Sequence, residues 1–161
     1  MKLAEALALR ADATRRVEQL RVRIVGNARY QEGEEPAEDA QALLTEVNTV
    51  LDELEALIRQ INRTNAAAHI AEDGTITDAL AHRDVLRVRH AVVTAAADAA
   101  AGRSQRGPGV PVPGRQLRSE LKMLAALPVA QLRAQADALA REIRELDVRI
   151  QRANWEVDLL D

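Results

Sequence analysis

Asn65 and Asn154 stand in two short runs of the same kind. Residues 61–65 read INRTN and residues 150–154 read IQRAN, so Ile, Arg and Asn recur at matching places. A side-chain amide is both donor and acceptor. Buried without partners, it costs on the order of 1–3 kcal/mol. The chemistry such a pair can do is recognition. Arg83 and Arg87 can add guanidinium forks suited to carboxylate or phosphate, and Trp155 an indole face with a single donor. Two readings follow. In one, Arg83 and Asp84 satisfy Asn65 and Asn154, and the set is a polar layer that fixes helix register. In the other, Asn62, Asn65, Arg83, Asp84, Arg87, Asn154 and Trp155 form a site for a small polar or anionic ligand. The first is preferred. Trp155 itself is read as a packing residue with its N–H bonded at the wet end.

Other chemistries find fewer residues. The chain has no cysteine, which removes disulfides, thiolate metal sites and thiol nucleophiles. His69, His82 and His90 can be imagined around zinc with Asp73 or Asp78, but scattered histidines are more often surface or packing residues. Asp78 and His82, four apart, make an ordinary helix-surface pair. A di-iron centre needs inward Glu and Glu-x-x-His pairs, and the apolar seams carry no acid. The two serines, Ser104 and Ser119, have no elbow or triad around them. The glycines at 107, 109 and 114 do not follow a phosphate-loop pattern. No catalytic residue, metal site or cofactor is assigned.

Four long helices must position these residues. The first, about 2–26, recurs with Ala6, Leu9, Ala13, Val17, Leu20 and Ile24 on one face. The second, about 37–68, alternates four and three through Ala40, Leu44, Val47, Leu51, Leu54, Ile58, Ile61, Asn65 and Ala68, a coiled-coil-like seam with one amide in it. Pro36 suits its first position. Asp73-Gly74 is a turn signal, and Thr75 with Asp78 resembles a capping box with Asp in place of Glu. The third helix runs from about Thr75 to Ala101, with Leu80, Val85, Val88, Val92 and Ala95 among its apolar positions. The fourth, about 128–160, is the clearest: Val129, Leu132, Ala136, Leu139, Ile143, Leu146, Ile150, Ala153, Val157 and Leu160 alternate three and four without a miss.

Between the last two helices lies an irregular Pro/Gly/Arg-rich segment, 102–118, carrying Arg103, Arg106, Arg115 and Arg118 and no acid. These arginines are read as a solvated loop, because aromatics to stack bases are absent around them. A short segment near 115–127 is compatible with extended or helical structure, the extended form preferred. The expected fold is therefore all-α, an antiparallel bundle of four long helices built as two helical hairpins, in a single domain over 1–161. That up-down order places the starts of helices 1 and 3 and the ends of helices 2 and 4 at one pole.

A duplication fits this order. Leu3 to Asp12 reads LAEALALRAD and Ile76 to Val85 reads ITDALAHRDV, with Ala6/Ala79, Leu7/Leu80, Ala8/Ala81 and Arg10/Arg83 identical. With INRTN and IQRAN this makes two hairpins related by a pseudo-two-fold axis, although alanine matches are cheap in such a sequence and coincidence stands beside it.

Composition bounds the function. Aromatics are 1% and the net charge is -3, so no excess of positive charge serves a nucleic-acid backbone. The N-terminal MKLAEALALRAD, interrupted by Glu5 and Arg10, is expected to be mature helix, not a secretory leader. The weakly charged stretch 91–101 is too short for a membrane span. A cytoplasmic chain with no nucleic-acid or membrane partner is expected.

The runs LAEALALRAD, INRTN, LAHRDVLR and RELDVRIQRANWEVDLL resemble those of a family of uncharacterised bacterial helical proteins, some members of which carry the label septicolysin. The resemblance spans nearly the whole chain, with Ile61 to Asn65 and Asn154-Trp155 its most specific pieces. It implies a helical fold and no assigned activity, and the label implies a secreted cytolysin. The sequence itself favours a non-enzymatic helical interaction or scaffold protein that self-associates into a homo-oligomer. Apolar residues of the third helix spill beyond one face. A ligand-binding protein or enzyme using the polar pole is the alternative, and the cytolysin ranks third.

Overall fold

A computed structural model describes residues 1–103 and 120–161. The chain is all-α. Its helices among the described residues are α1 (Leu3–Asn27), α2 (Ala40–Ala67), α3 (Ile76–Ala100) and α4 (Val129–Glu156), with a 3-10 turn at Ala71–Asp73. There is no strand among the described residues. No helix there is long and apolar enough to cross a membrane. Two compact units contain these elements: Met1–Asp78 with Arg149–Asp161, and Ala79–Val148.

In the first unit α1 and α2 form an antiparallel hairpin. Arg16 pairs with Glu46 and Arg23 with Glu38, so numbers rise on one helix as they fall on the other. Its core is Leu20, Leu43, Val47 and Val50, flanked by Ala13, Val17 and Ile24. Asn27 closes α1 by donating its amide to the Arg23 carbonyl at 2.9 Å and accepting from the Glu38 backbone at 3.0 Å. Asp39 is the cap of α2, accepting from the Gln41 and Ala42 amides. The helix therefore begins at Ala40, three residues after the expected Ala37, because the capping carboxylate and not Pro36 sets its start.

The seam of α2 lies one position away from the expected one. Leu43, Val47, Val50, Ile61 and Thr64 are buried and Leu54 and Leu57 half-buried, while Leu44, Leu51 and Ile58 are exposed. Both series alternate three and four through the shared Val47, Leu54 and Ile61. The apolar stripe is three residues wide per heptad, and its period does not say which edge faces the partner helix.

In the second unit α3 and α4 also run antiparallel. His82 faces Glu142, Arg83 and Arg87 meet Asp147, and Arg133 meets Asp98 at 2.6 Å. Leu86, Val93 and Ala97 of α3 are buried, with Ala136, Leu139 and Leu146 of α4. The two expected hairpins are thus present. The periodic series of α4 holds from Val129 to Val157 and departs at Leu160, which is exposed beyond the helix end at Glu156.

Gly102, with φ +77°, ends α3. The irregular segment 102–118 lies outside the described residues from 104 onward, as do Ser104, Arg106, Arg115, Arg118 and Ser119. Of the segment expected to be extended near 115–127, the described part, 120–127, has a turn at 120 and bends at 121 and 126–127, with 122–125 irregular and neither helix nor strand throughout. Leu121, Met123, Leu124 and Leu127 there are exposed, and with no strand beside them an extended conformation gains no ladder.

Candidate functional site

The first unit brings together the starts and ends that the helix order predicts. The Leu3 amide donates to the Val157 carbonyl at 3.0 Å, and the Ile76 amide donates to the Ala68 carbonyl at 2.9 Å. Leu3 and Ile76 are both buried, as are Ala6 of α1 and Ile61, Ile150 and Ala153 at the ends of α2 and α4. The two hydrogen bonds keep the offsets of the sequence repeat, since Leu3 corresponds to Ile76 and Val157 to Ala68. The caps correspond too. Glu5 accepts from the Lys2 amide at 2.7 Å, and Asp78 accepts from the Thr75 amide at 2.8 Å. The Thr75 hydroxyl completes the expected capping box, donating to Asp78 at 2.7 Å and accepting from its amide at 3.1 Å. Gly74 permits this at φ +80°, where a Cβ would lie 2.8 Å from the Asp78 carboxylate.

Charge complements these caps. The Thr75 hydroxyl and then its amide hold the Asp78 carboxyl below the usual carboxylate range. The Lys2 ammonium, 2.8 Å away, does the same for Asp158. At the other end of the α1–α2 hairpin Arg23 lowers Glu38.

The seven candidate residues divide. Asn62, Asn65, Asn154 and Trp155 belong to the first unit, and Arg83, Asp84 and Arg87 to the second. Asn154 is buried and Asn65 half-buried, whereas Asn62 and Trp155 are exposed. Trp155 is 62% exposed, so it is not the packing residue expected. Helix α4 directs Ala153 and Asn154 inward, which turns the next residue outward. Arg83 and Arg87 commit their guanidinium groups to Asp147 at 3.5 and 3.2 Å, and Arg83 also meets Asp84 at 3.2 Å.

Three residues that periodicity passes over matter here. Thr64 is fully buried; its hydroxyl donates to the Gln60 carbonyl and accepts from the Leu160 amide at 2.9 Å. Asp147 anchors both arginines of α3. Arg149 forks onto Asp73 at 2.5 and 3.0 Å. Thr64 could have been found from its place three after Ile61 in the buried series. Asp147 and Arg149 carry no signal of their own until the chain is folded.

Two apolar features stay open to solvent. Helix α3 has two seams. Ile76, Ala79, Leu86, Val93 and Ala97 face inward, with half-buried Arg83 and His90 in the same series. On the nearly opposite face Val85, Val88 and Val92 are 55%, 64% and 63% exposed, continued by Ala81 and Ala95. In the first unit a groove of about 920 Å³ runs between α1 and α2, with Leu9, Ala13, Val50 and Leu57 on its walls and Arg15, Arg16, Glu46 and Glu53 at its rim. Among the described residues no group of three or more His, Asp or Glu is placed to hold a metal ion.

The fold is shared with a solved protein. A crystal structure of a functionally unknown conserved protein from Corynebacterium diphtheriae is 38% identical and superposes with a TM-score of 0.85, over 99% of each chain. No curated protein matches the chain. Residues 10–159 match the model of a family of unknown function, DUF6847, and the chain belongs to that family.

Proposed function

We propose that the chain is a non-enzymatic interaction protein that works by associating with copies of itself. The observation that carries this reading is the second seam of α3. Single exposed apolar residues are ordinary, but a row at three- and four-residue spacing is the pattern by which one helix recognises another. The exposed edge of α2 at Leu44, Leu51 and Ile58 repeats every seven residues and adds a second surface of the same kind.

The alternative, a small polar or anionic ligand at the polar residues, has less behind it. The guanidinium groups it would use are turned to Asp147, and Thr64 is turned to its own chain. No feature among the described residues speaks for the lytic activity in the septicolysin label. Light scattering coupled to gel filtration, from about 1 to about 100 µM, tests the proposal. A mass that rises above that of one chain supports it. A constant single-chain mass ends it.

A further inference from the structure

We propose that two copies of this chain pair through α3, in parallel and in register, with the Val85–Val88–Val92 face as the seam. The inference rests on the self-association reading and adds the surface, the orientation and the partner residues.

The spacing assigns the register. From Ala81 the exposed series steps four, three, four and three to Ala95. Because the step from a to d is three and from d to a is four, Val85 and Val92 are a positions and Ala81, Val88 and Ala95 are d positions. β-Branched Val85 and Val92 at a suit a two-stranded parallel pair, although Val88 at the central d position is not the leucine that pairing favours; the alanines at both ends are small. The chain has prefolded this helix against α4, so pairing does not have to repay helix formation.

Charge selects the orientation. Asp84 is a g position and Arg89 is the e position of the following heptad, and both are exposed. In a parallel in-register pair, g of one helix faces that e of its partner, so Asp84 meets Arg89 twice by symmetry. The other g positions are Ala91 and Asp98, and the earlier e position is His82. An antiparallel pair sets g against g and e against e, bringing acid towards acid and base towards base. Among the described residues Asp84 meets its neighbour Arg83 at 3.2 Å, a contact it can exchange or share. The seam covers about 21 Å of helix, at about 1.5 Å per residue. So small an interface belongs to the weak, transient class.

The absence of cysteine makes the test clean. Val85→Cys and Val92→Cys are made singly in the full chain, checked by circular dichroism, and oxidised mildly, alone and as a mixture. Their self-association is followed in parallel by sedimentation under reducing conditions. Each variant alone should form disulfide-linked dimers, and the mixture should give same-site dimers over mixed ones. Arg89→Asp should weaken the dimer about three- to tenfold, and adding Asp84→Arg should restore it. Association without same-site cross-links, or with preferential 85–92 cross-links, overturns this geometry and leaves the self-association reading standing. Loss of all association in the wild-type chain overturns both.

Discussion

Arg83 and Asp147 face one another across the α3–α4 hairpin, Nη1 to Oδ1 3.5 Å, and Arg87 reaches the other carboxylate oxygen at 3.2 Å. One acid therefore serves two bases on successive turns of α3. All three side chains retain some contact with water, so the pairing is worth less than a buried one. Asp147→Ala should cost about 1–2 kcal/mol in urea denaturation, since it leaves two arginines without their shared partner. Asp84→Ala, at an exposed carboxylate, should stay within about 0.5 kcal/mol. Equal effects would contradict this division of labour.

Leu43 and Leu44 separate the two edges of α2. Leu43 packs in the core with Leu20 and Val47, and Leu44 is 41% exposed. Leu43→Ala should destabilise by about 2–5 kcal/mol, and Leu44→Ala by under about 1 kcal/mol. Chemical denaturation of dilute protein reads both. The reverse order would restore the register read from the sequence.

Thr64 holds the chain's last residues. Thr64→Val keeps the shape and removes the acceptor for the Leu160 amide, which should cost about 1–3 kcal/mol at this fully buried position. Hydrogen exchange at Leu160 should accelerate more than exchange in the middle of α2. Unchanged exchange there would mean that the hydroxyl does not hold the tail.

Acid should loosen the first unit. Asp78, Asp158 and Glu38 all lose their protons more readily when folded, through Thr75, Lys2 and Arg23 respectively. The unfolded chain then binds protons more tightly, so stability is complete above the unfolded carboxylate range and falls with pH through the folded values. Melting temperature should hold from neutral pH down to about pH 5 and drop below about pH 4. Asp78→Asn should flatten part of that acid limb. A limb unaffected by that change would assign it to other groups.

Sequence periodicity disclosed the helices and hairpins because burial repeats every three or four residues. It was strongest in α4, where nearly every member of the series from Val129 to Val157 turned inward. It was weaker where a helix has apolar residues on more than one edge. In α2 the same heptad contained Leu43 and Leu44, and only the partner helix chose between them. In α3 Val85, Val88 and Val92, which look like core in a linear reading, are exposed, and Ile76, Ala79, Leu86, Val93 and Ala97 line the inner face with an arginine and a histidine. The repeat was legible down to its hydrogen bonds, because Leu3 and Ile76 do the same work at two helix starts. The polar candidates were less so. Sequence proximity to a helix end places Arg83 near a pole, but its true partner, Asp147, lies 64 positions further along the chain.

The most direct test of self-association is sedimentation equilibrium of the wild-type chain beside Val88→Lys, each from about 1 to about 100 µM. Lysine at an exposed position leaves the fold intact and places like charges at the centre of the seam. The wild type should show a monomer–dimer equilibrium and the variant a monomer throughout. A wild-type chain that stays monomeric, or a variant that dimerises equally well, would contradict pairing through this seam.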